Sequence, residues 1–244
     1  MTKPTTDAYR DGMDAVHIAV SELVEDIFGS LYRISAAATE LWDRLVRNGK
    51  SPRSSDLGEL REAVLAELRH QGAMFNGSGL VLADSVLADR PRHLEWWRVS
   101  AKPQKLTFDL NPNSEYFYDY SVMEWFVVPR DRHTRWIAGP YLDYTGVDLY
   151  ICTVSVPVNS AAGAFIGIAG ADVTLASLDA ALMPALQSSG KSLALINHEG
   201  RVIVANNADH VTGSRLRGAA IASGQPVPGT QWTLVNLDQD RPNG

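Results

Sequence analysis

The feature that most constrains the fold is a long apolar stripe running from about Ala15 to Arg47. Its positions are Val16, Val20, Leu23, Ile27, Leu31, Ile34, Ala38, Leu41 and Leu45, separated by steps of three and four. That spacing keeps one face of a helix apolar throughout. At about 33 residues such a helix is about 50 Å long, more than a small sheet can cover. Part of it is expected on the chain's own sheet, and part is available to pair with a second copy. Gly29 lies inside the stripe and costs about 1 kcal/mol relative to alanine, so packing must hold this helix. Asn48-Gly49 ends it. A second helix is predicted over residues 56–70, with Leu57, Leu60, Val64, Leu65 and Leu68 on one face. Asp56 with Glu59 reads as its capping box, and Gly72 closes it.

From Gly77 the texture changes to short apolar or alternating runs: SGLVLADSVL, LEWWRVS, KLTFDL, MEWFVVP, WIAGPYL, VDLYICTVSVPV and GAFIGIAGADV. Strands at this spacing predict one antiparallel sheet rather than βαβ units. A helix over about Leu175–Leu186 follows, with Thr174 as its N-cap. Beyond Gly190, KSLALINHEGRVIVANN predicts a hairpin turning at His198-Glu199-Gly200, and TQWTLVNL a last strand. The class is α+β: a long N-terminal helix, an antiparallel sheet module and a second, smaller one. The expected division is a helical region over 1–72, a ligand-binding module over 73–189 and the small module over 190–244. The last residues, 239–244, are expected to be loose.

A net charge of −6 without a basic block argues against nucleic-acid binding. Cys152, the single cysteine, sits in an apolar run and is expected to be inert packing. The acidic residues Asp7, Asp11 and Asp14 do not suit an export signal, and no apolar run spans a membrane. The expected address is therefore cytoplasmic. Six scattered histidines form no metal-ligating pair, and no nucleophile elbow, phosphate loop or dinucleotide fingerprint is present. No cofactor and no metal are expected. The acid pairs Asp89 with Glu95 and Asp119 with Glu124 offer general acid–base chemistry only if folding joins them. Gly167 and Gly170 suit close strand packing.

The richest stretch is Trp136–Val173. Gly139-Pro140-Tyr141 and Asp143 precede one strand, and a second strand runs through Gly167 and Gly170 to a lone carboxylate, Asp172. With the adjacent Trp96-Trp97 ahead of it, this order of parts resembles the double Cache sensor domain. That is the PAS-like ligand-binding unit of many bacterial chemoreceptors and sensor kinases. The resemblance covers about residues 15–237 and is most specific over 94–175. It implies a small-molecule site in the first sheet module. In a subset of the family that binds amino acids or amines, an R-x-W-Y segment falls on Leu94-Glu95-Trp96-Trp97, a tyrosine on Tyr141 and an aspartate on Asp172. Leu94 stands where the family has arginine, and Trp97 where it has tyrosine.

An aspartate at a strand end attracts an ammonium, and aromatic faces support it. The expected ligand-binding residues are Trp97, Tyr118, Tyr120, Trp125, Tyr141 and Asp172. With the family's arginine missing, an amine without a carboxylate gains weight over an ordinary amino acid, unless Arg98 or Arg130 restores anion binding. Each residue also has a plain structural reading. Trp96 and Trp97 point to opposite faces of a strand, so one of them is core; Tyr118 and Tyr120 share a face and cover the sheet; Asp143 caps a turn before Tyr144; and Asp172 caps a helix. The expected function is a non-catalytic sensor that binds a small metabolite, pairs through its N-terminal helix and signals through a separate partner. The alternatives are a small enzyme using Asp172 as a base, and a dimerisation module with a vestigial pocket.

Overall fold

The computed structural model describes residues 6–98, 103–143, 149–218 and 221–240. Helix α1, Thr6–Arg47, is 42 residues long and starts earlier than the stripe alone predicts. The stripe residues Val16, Val20, Ile27, Leu31, Ile34, Ala38, Leu41 and Leu45 are buried, Val16 and Leu31 completely, whereas Leu23 is only half-buried and its neighbour Val24 takes the core position. The second helix is a 3-10 turn, Asp56–Leu60, continued by α2, Arg61–Gln71, and Gly72 takes a positive φ where it ends.

Strands β1 (Phe75–Leu82), β2 (Leu94–Arg98), β3 (Gln104–Lys105), β4 (Trp136–Asp143), β5 (Leu149–Asn159) and β6 (Phe165–Thr174) form a six-stranded sheet in the order β3-β2-β1-β6-β5-β4. Helix α4, Leu175–Ser188, is capped as expected, the Thr174 hydroxyl accepting from Ser177 N at 3.1 Å. Strands β7 (Leu193–Ile196), β8 (Val202–Ala205), β9 (Gln225–Pro226) and β10 (Thr233–Asn236) form a second sheet in the order β8-β7-β10-β9. The long helix followed by two antiparallel sheet modules is the fold the sequence predicts.

Two segments differ from expectation. MEWFVVP is not a strand: residues Glu124–Arg132 form helix α3, closed by His133 in the left-handed region. Its β-branched and aromatic run favours a strand locally, but the helix buries Trp125, Phe126 and Val128 together, and that packing overrides the preference. KLTFDL contributes only the first of its residues to β3, and the rest is irregular.

The chain divides into two compact units, each assembled from segments distant in sequence: Met1–Asp26, Gly139–Cys152 and Thr174–Gly244 in one, Ile27–Ala138 and Thr153–Val173 in the other. In the first unit, α1 meets β9: His17 Nε2 lies 2.9 Å from the Pro226 carbonyl, and Gln225 donates to Asp14. Asn197 donates to the Gly139 carbonyl at 2.8 Å while its own oxygen accepts from Glu199 N and Arg201 N. Cys152 is fully buried, and burial pushes its thiol up to about 12. Folded protein is therefore expected to resist a maleimide or disulfide reagent at neutral pH and to label only on unfolding; rapid labelling of native protein contradicts this.

In the second unit, α1 and the turn at 56–60 pack against one face of the sheet. Ala38, Trp42, Leu57, Leu80 and Leu82 surround a cavity of about 10 Å³ there, room for one water at most. Ser35 and Thr39 of α1 donate to the carbonyls of Pro157 and Asn159. Arg33 grips Glu67 of α2 through two 2.8 Å bonds. Helices cover this face, so a ligand site has to be sought on the other.

Candidate functional site

Register decides which residues share that other face. Gly77 is paired with Arg98 on β2 and with Asp172 on β6; Gly79 is paired with Trp96 and with Gly170. Directly paired residues of an antiparallel ladder share a face, and residues two apart along a strand do too. Arg98, Gly77 and Asp172 thus form one row, and Trp96, Gly79 and Gly170 the next. Trp97, paired with Ser78 and Lys105, lies on the opposite face. There the Arg61 guanidinium at the start of α2 sits 5.2 Å from its ring centroid. The register thus sets Trp97 on the face away from Asp172 and Trp96 on the face that Asp172 shares.

The glycines explain how an indole fits against the sheet. A Cβ on Gly77 would lie 2.8 Å from Trp96 Nε1, and one on Gly170 3.3 Å from the far edge of the same ring. Bare backbone at both positions lets the ring lie flat. A Cβ on Gly79 would fall 2.0 Å from the Glu95 carbonyl, so that strand pair also requires glycine. Gly167 is of the same kind, its Cβ position 2.2 Å from the Val81 carbonyl.

Asp172 is half-buried, and Thr153 on β5 donates to its Oδ1 at 2.7 Å. Two residues along β5, Ser155 donates to the Trp125 carbonyl at 2.7 Å, which brings α3 over the same face. The Trp125 ring is buried edge-on to Phe126, with centroids 6.3 Å apart. The arrangement offers a partly desolvated carboxylate held in one orientation by a hydroxyl, beside a flat indole.

The remaining sequence-predicted residues are placed elsewhere. Tyr120 is not on a strand but in a 3-10 turn, Tyr120–Val122, and is completely buried. Its hydroxyl donates to the Leu82 carbonyl at 2.8 Å, and burial raises its pKa to about 12. That geometry makes Tyr120 core rather than ligand contact. Tyr118 stacks on Phe108 at 4.9 Å in an irregular segment, so the two tyrosines do not share a strand face. Tyr141 and the buried Asp143 belong to the first unit, Tyr141 packed beside Gly139; the turn at Tyr144 expected after Asp143 lies outside the described residues. Three of the four acids in the candidate pairs have structural partners. Asp89 accepts from Ser54 N and Oγ, Asp119 from Arg92 and Ser121, and Glu95 from Lys105, with His93 beside it. Among the described residues no cluster of metal-ligating side chains occurs.

A long helix followed by a six-stranded antiparallel sheet and a second four-stranded sheet is a PAS-like architecture. Residues 62–180 match the family described as methyl-accepting chemotaxis protein-like, first PDC sensor domain. Over those residues the chain is similar to the PAS-like sensor domains of bacterial chemoreceptors.

Solved structures share the fold at low identity. The extracellular domain of mmHK1S-Z3, described as a histidine kinase, aligns with a TM-score of 0.66 at 14% identity, covering 95% of this chain and 94% of that one. The ligand-binding domain of the Pseudomonas aeruginosa amino acid chemoreceptor PctC, in complex with GABA, gives 0.57 at 16% identity, covering 93% and 96%. The periplasmic sensory domain of the Campylobacter jejuni chemoreceptor Tlp1 gives 0.57 at 12%, covering 82% and 72%. No curated protein sequence matches. The family and structural matches are to sensor domains. The cytoplasmic expectation is corrected by the same findings, since domains of this fold are described as extracellular or periplasmic. Among the described residues no helix is long and apolar enough to cross a membrane.

Proposed function

We propose that this sensor domain binds a small amine or amino-acid-like metabolite on the Asp172 face and releases it unaltered. The observation that carries the reading is the Asp172 carboxylate, fixed by Thr153 and set one row from Trp96 over a glycine floor. An ammonium gains a charge-assisted hydrogen bond from the carboxylate and a cation–π contact from the indole. Trp125 borders the same face, and Tyr118 stays as an outer candidate from the family resemblance. The complex of PctC with GABA is in keeping with such a ligand. Ligand-dependent change passes to a signalling partner only as far as the ligand's affinity differs between the two states.

Thermal unfolding of the purified chain with amines, amino acids and small carboxylates tests the reading. A true ligand at about 100 times its dissociation constant stabilises by about 2.7 kcal/mol, or roughly 5–10 °C for a domain of this size. Flat melting temperatures across amines and amino acids alike overturn it.

A homodimer through α1 is part of the same proposal. Ile18, Tyr32 and Val46, 57%, 47% and 53% exposed, recur along one strip of that helix, a spacing of whole heptads. Tyr32→Glu is expected to shift the sedimentation coefficient from dimer to monomer; a monomeric parent chain at high micromolar concentration rules the dimer out.

A further inference from the structure

We propose that β5 couples the Asp172 face to helix α1, and that a row of three side-chain-to-backbone hydrogen bonds along α1 is the linkage. The inference rests on the Asp172 reading above and specifies how a change at that site is passed on. Ser35 donates to the Pro157 carbonyl at 3.0 Å, and Thr39 donates to the Asn159 carbonyl at 2.8 Å. The Asp43 carboxylate accepts from Ala161 N at 3.2 and 3.1 Å. Residues four apart on the helix thus meet residues two apart on the chain, three times in succession. Four helical residues rise about 6 Å and two strand residues about 6.6 Å, so the two repeats run nearly in step. Apolar contact has no direction and tolerates slip along a helix axis, whereas a hydrogen bond weakens steeply once its donor and acceptor part. The apolar seat is also thin here. Ala38 and Trp42, each one residue before a member of the row, border the small cavity between α1 and the sheet.

The preceding residues of the same strand hold the site. Buried Thr153 donates to Asp172 Oδ1 at 2.7 Å, and buried Ser155 donates to the Trp125 carbonyl at 2.7 Å. Pro157 is the next residue but one. Within Thr153–Asn159, a length of about 20 Å, β5 therefore makes two bonds toward the Asp172 face and receives two from α1. A group that draws Asp172 toward itself pulls on Thr153. β5 lies between β6 and β4, which keep it straight, so the pull is passed along the strand and the row makes α1 follow. The helix that follows carries exposed Tyr32 three residues before Ser35. Coupling of this kind is reciprocal: whatever fixes α1 also changes the hold of Thr153 on Asp172.

A double-mutant cycle read by hydrogen–deuterium exchange of the intact chain tests this without a ligand. Thr153→Val keeps the shape of the side chain and removes its bond to Asp172; Ser35→Ala with Thr39→Val cuts the row. Thr153→Val alone is expected to speed exchange of the amides of residues 35–43 about two- to tenfold, and to add nothing once the row is cut. Melting curves of all four proteins confirm folding, and Asp43→Ala is the milder cut should the double variant not fold. If Thr153→Val changes exchange only in β5 and β6, the coupling falls. If it speeds α1 by the same factor with the row intact and cut, the row is not the linkage and the inference falls as well. Either failure differs from flat melting temperatures across amines and amino acids, which overturn the binding reading instead.

Discussion

Asp172→Asn is expected to weaken binding of the ligand at least a hundredfold, with little change in the melting temperature. Asparagine has the same size and still offers an oxygen to the Thr153 hydroxyl, which now donates to Asp172 Oδ1 at 2.7 Å. The fold keeps that link. What disappears is the negative charge opposite an ammonium. A hydrogen bond to a charged group contributes about 1.5–3 kcal/mol, and an ammonium left without a counter-charge in a partly desolvated site adds a further desolvation cost. Together these make about 3 kcal/mol, a factor of about a hundred. Trp97→Ala is the contrasting variant. Its ring lies on the other face, under Arg61, so it is expected to lower stability and leave ligand affinity alone. Calorimetric titration with parallel melting curves reads both. Asp172→Asn binding as tightly as the parent would remove Asp172 from the site.

The position of Asp172 near the end of an apolar strand was legible from the run that precedes it, and Thr174 because a hydroxyl followed by a helical stripe is a local signal. The two tryptophans show where local signals stop. Alternation says that Trp96 and Trp97 face opposite ways, but only the pairing of Gly77 with Asp172 says which of them shares the aspartate's face. That pairing joins residues far apart in the chain. A usable hint was present in Asn76-Gly77-Ser78-Gly79, where glycine at alternate positions marks a strand face that something must approach closely. Helix α3 was hidden for another reason. Its Phe-Val-Val run reads as strand, and only the packing of Phe126 among Trp125, Tyr120 and Phe165 makes it a helix. The compact units were not readable as segments of sequence at all, since each gathers pieces that only folding brings together.

The largest effect expected on stability comes from the other face of β2. Glu95 is 1% exposed, and its Oε2 accepts from Lys105 at 2.7 Å while His93 Nε2 lies 3.2 Å away. Burial alone would raise the Glu95 pKa, but hydrogen bonds from His93 and Lys105, with the charge of Lys105, outweigh it and hold the carboxyl below its ordinary 4.5. A carboxylate depressed in this way stabilises the fold above its unfolded pKa, and that contribution fades as the pH falls through the folded value. Lys105→Met removes the main counter-charge and leaves the carboxylate buried. Breaking a fully buried pair costs about 3–5 kcal/mol. Here Lys105 is 43% exposed and His93 remains, which brings the expected loss to about 2–3 kcal/mol, or roughly 5–10 °C in melting temperature. In the variant the Glu95 pKa moves above its ordinary value, so protonation relieves the penalty as the medium becomes acidic. The gap between parent and variant is therefore expected to be widest near neutral pH and to narrow below about pH 5. Adding Glu95→Gln to Lys105→Met is expected to recover part of the loss at pH 7, because a neutral amide replaces a stranded charge. Melting curves between pH 4 and pH 8 measure all three proteins, and a gap that stays constant across that range shows that Lys105 stabilises by packing its aliphatic stem and not by pairing with Glu95.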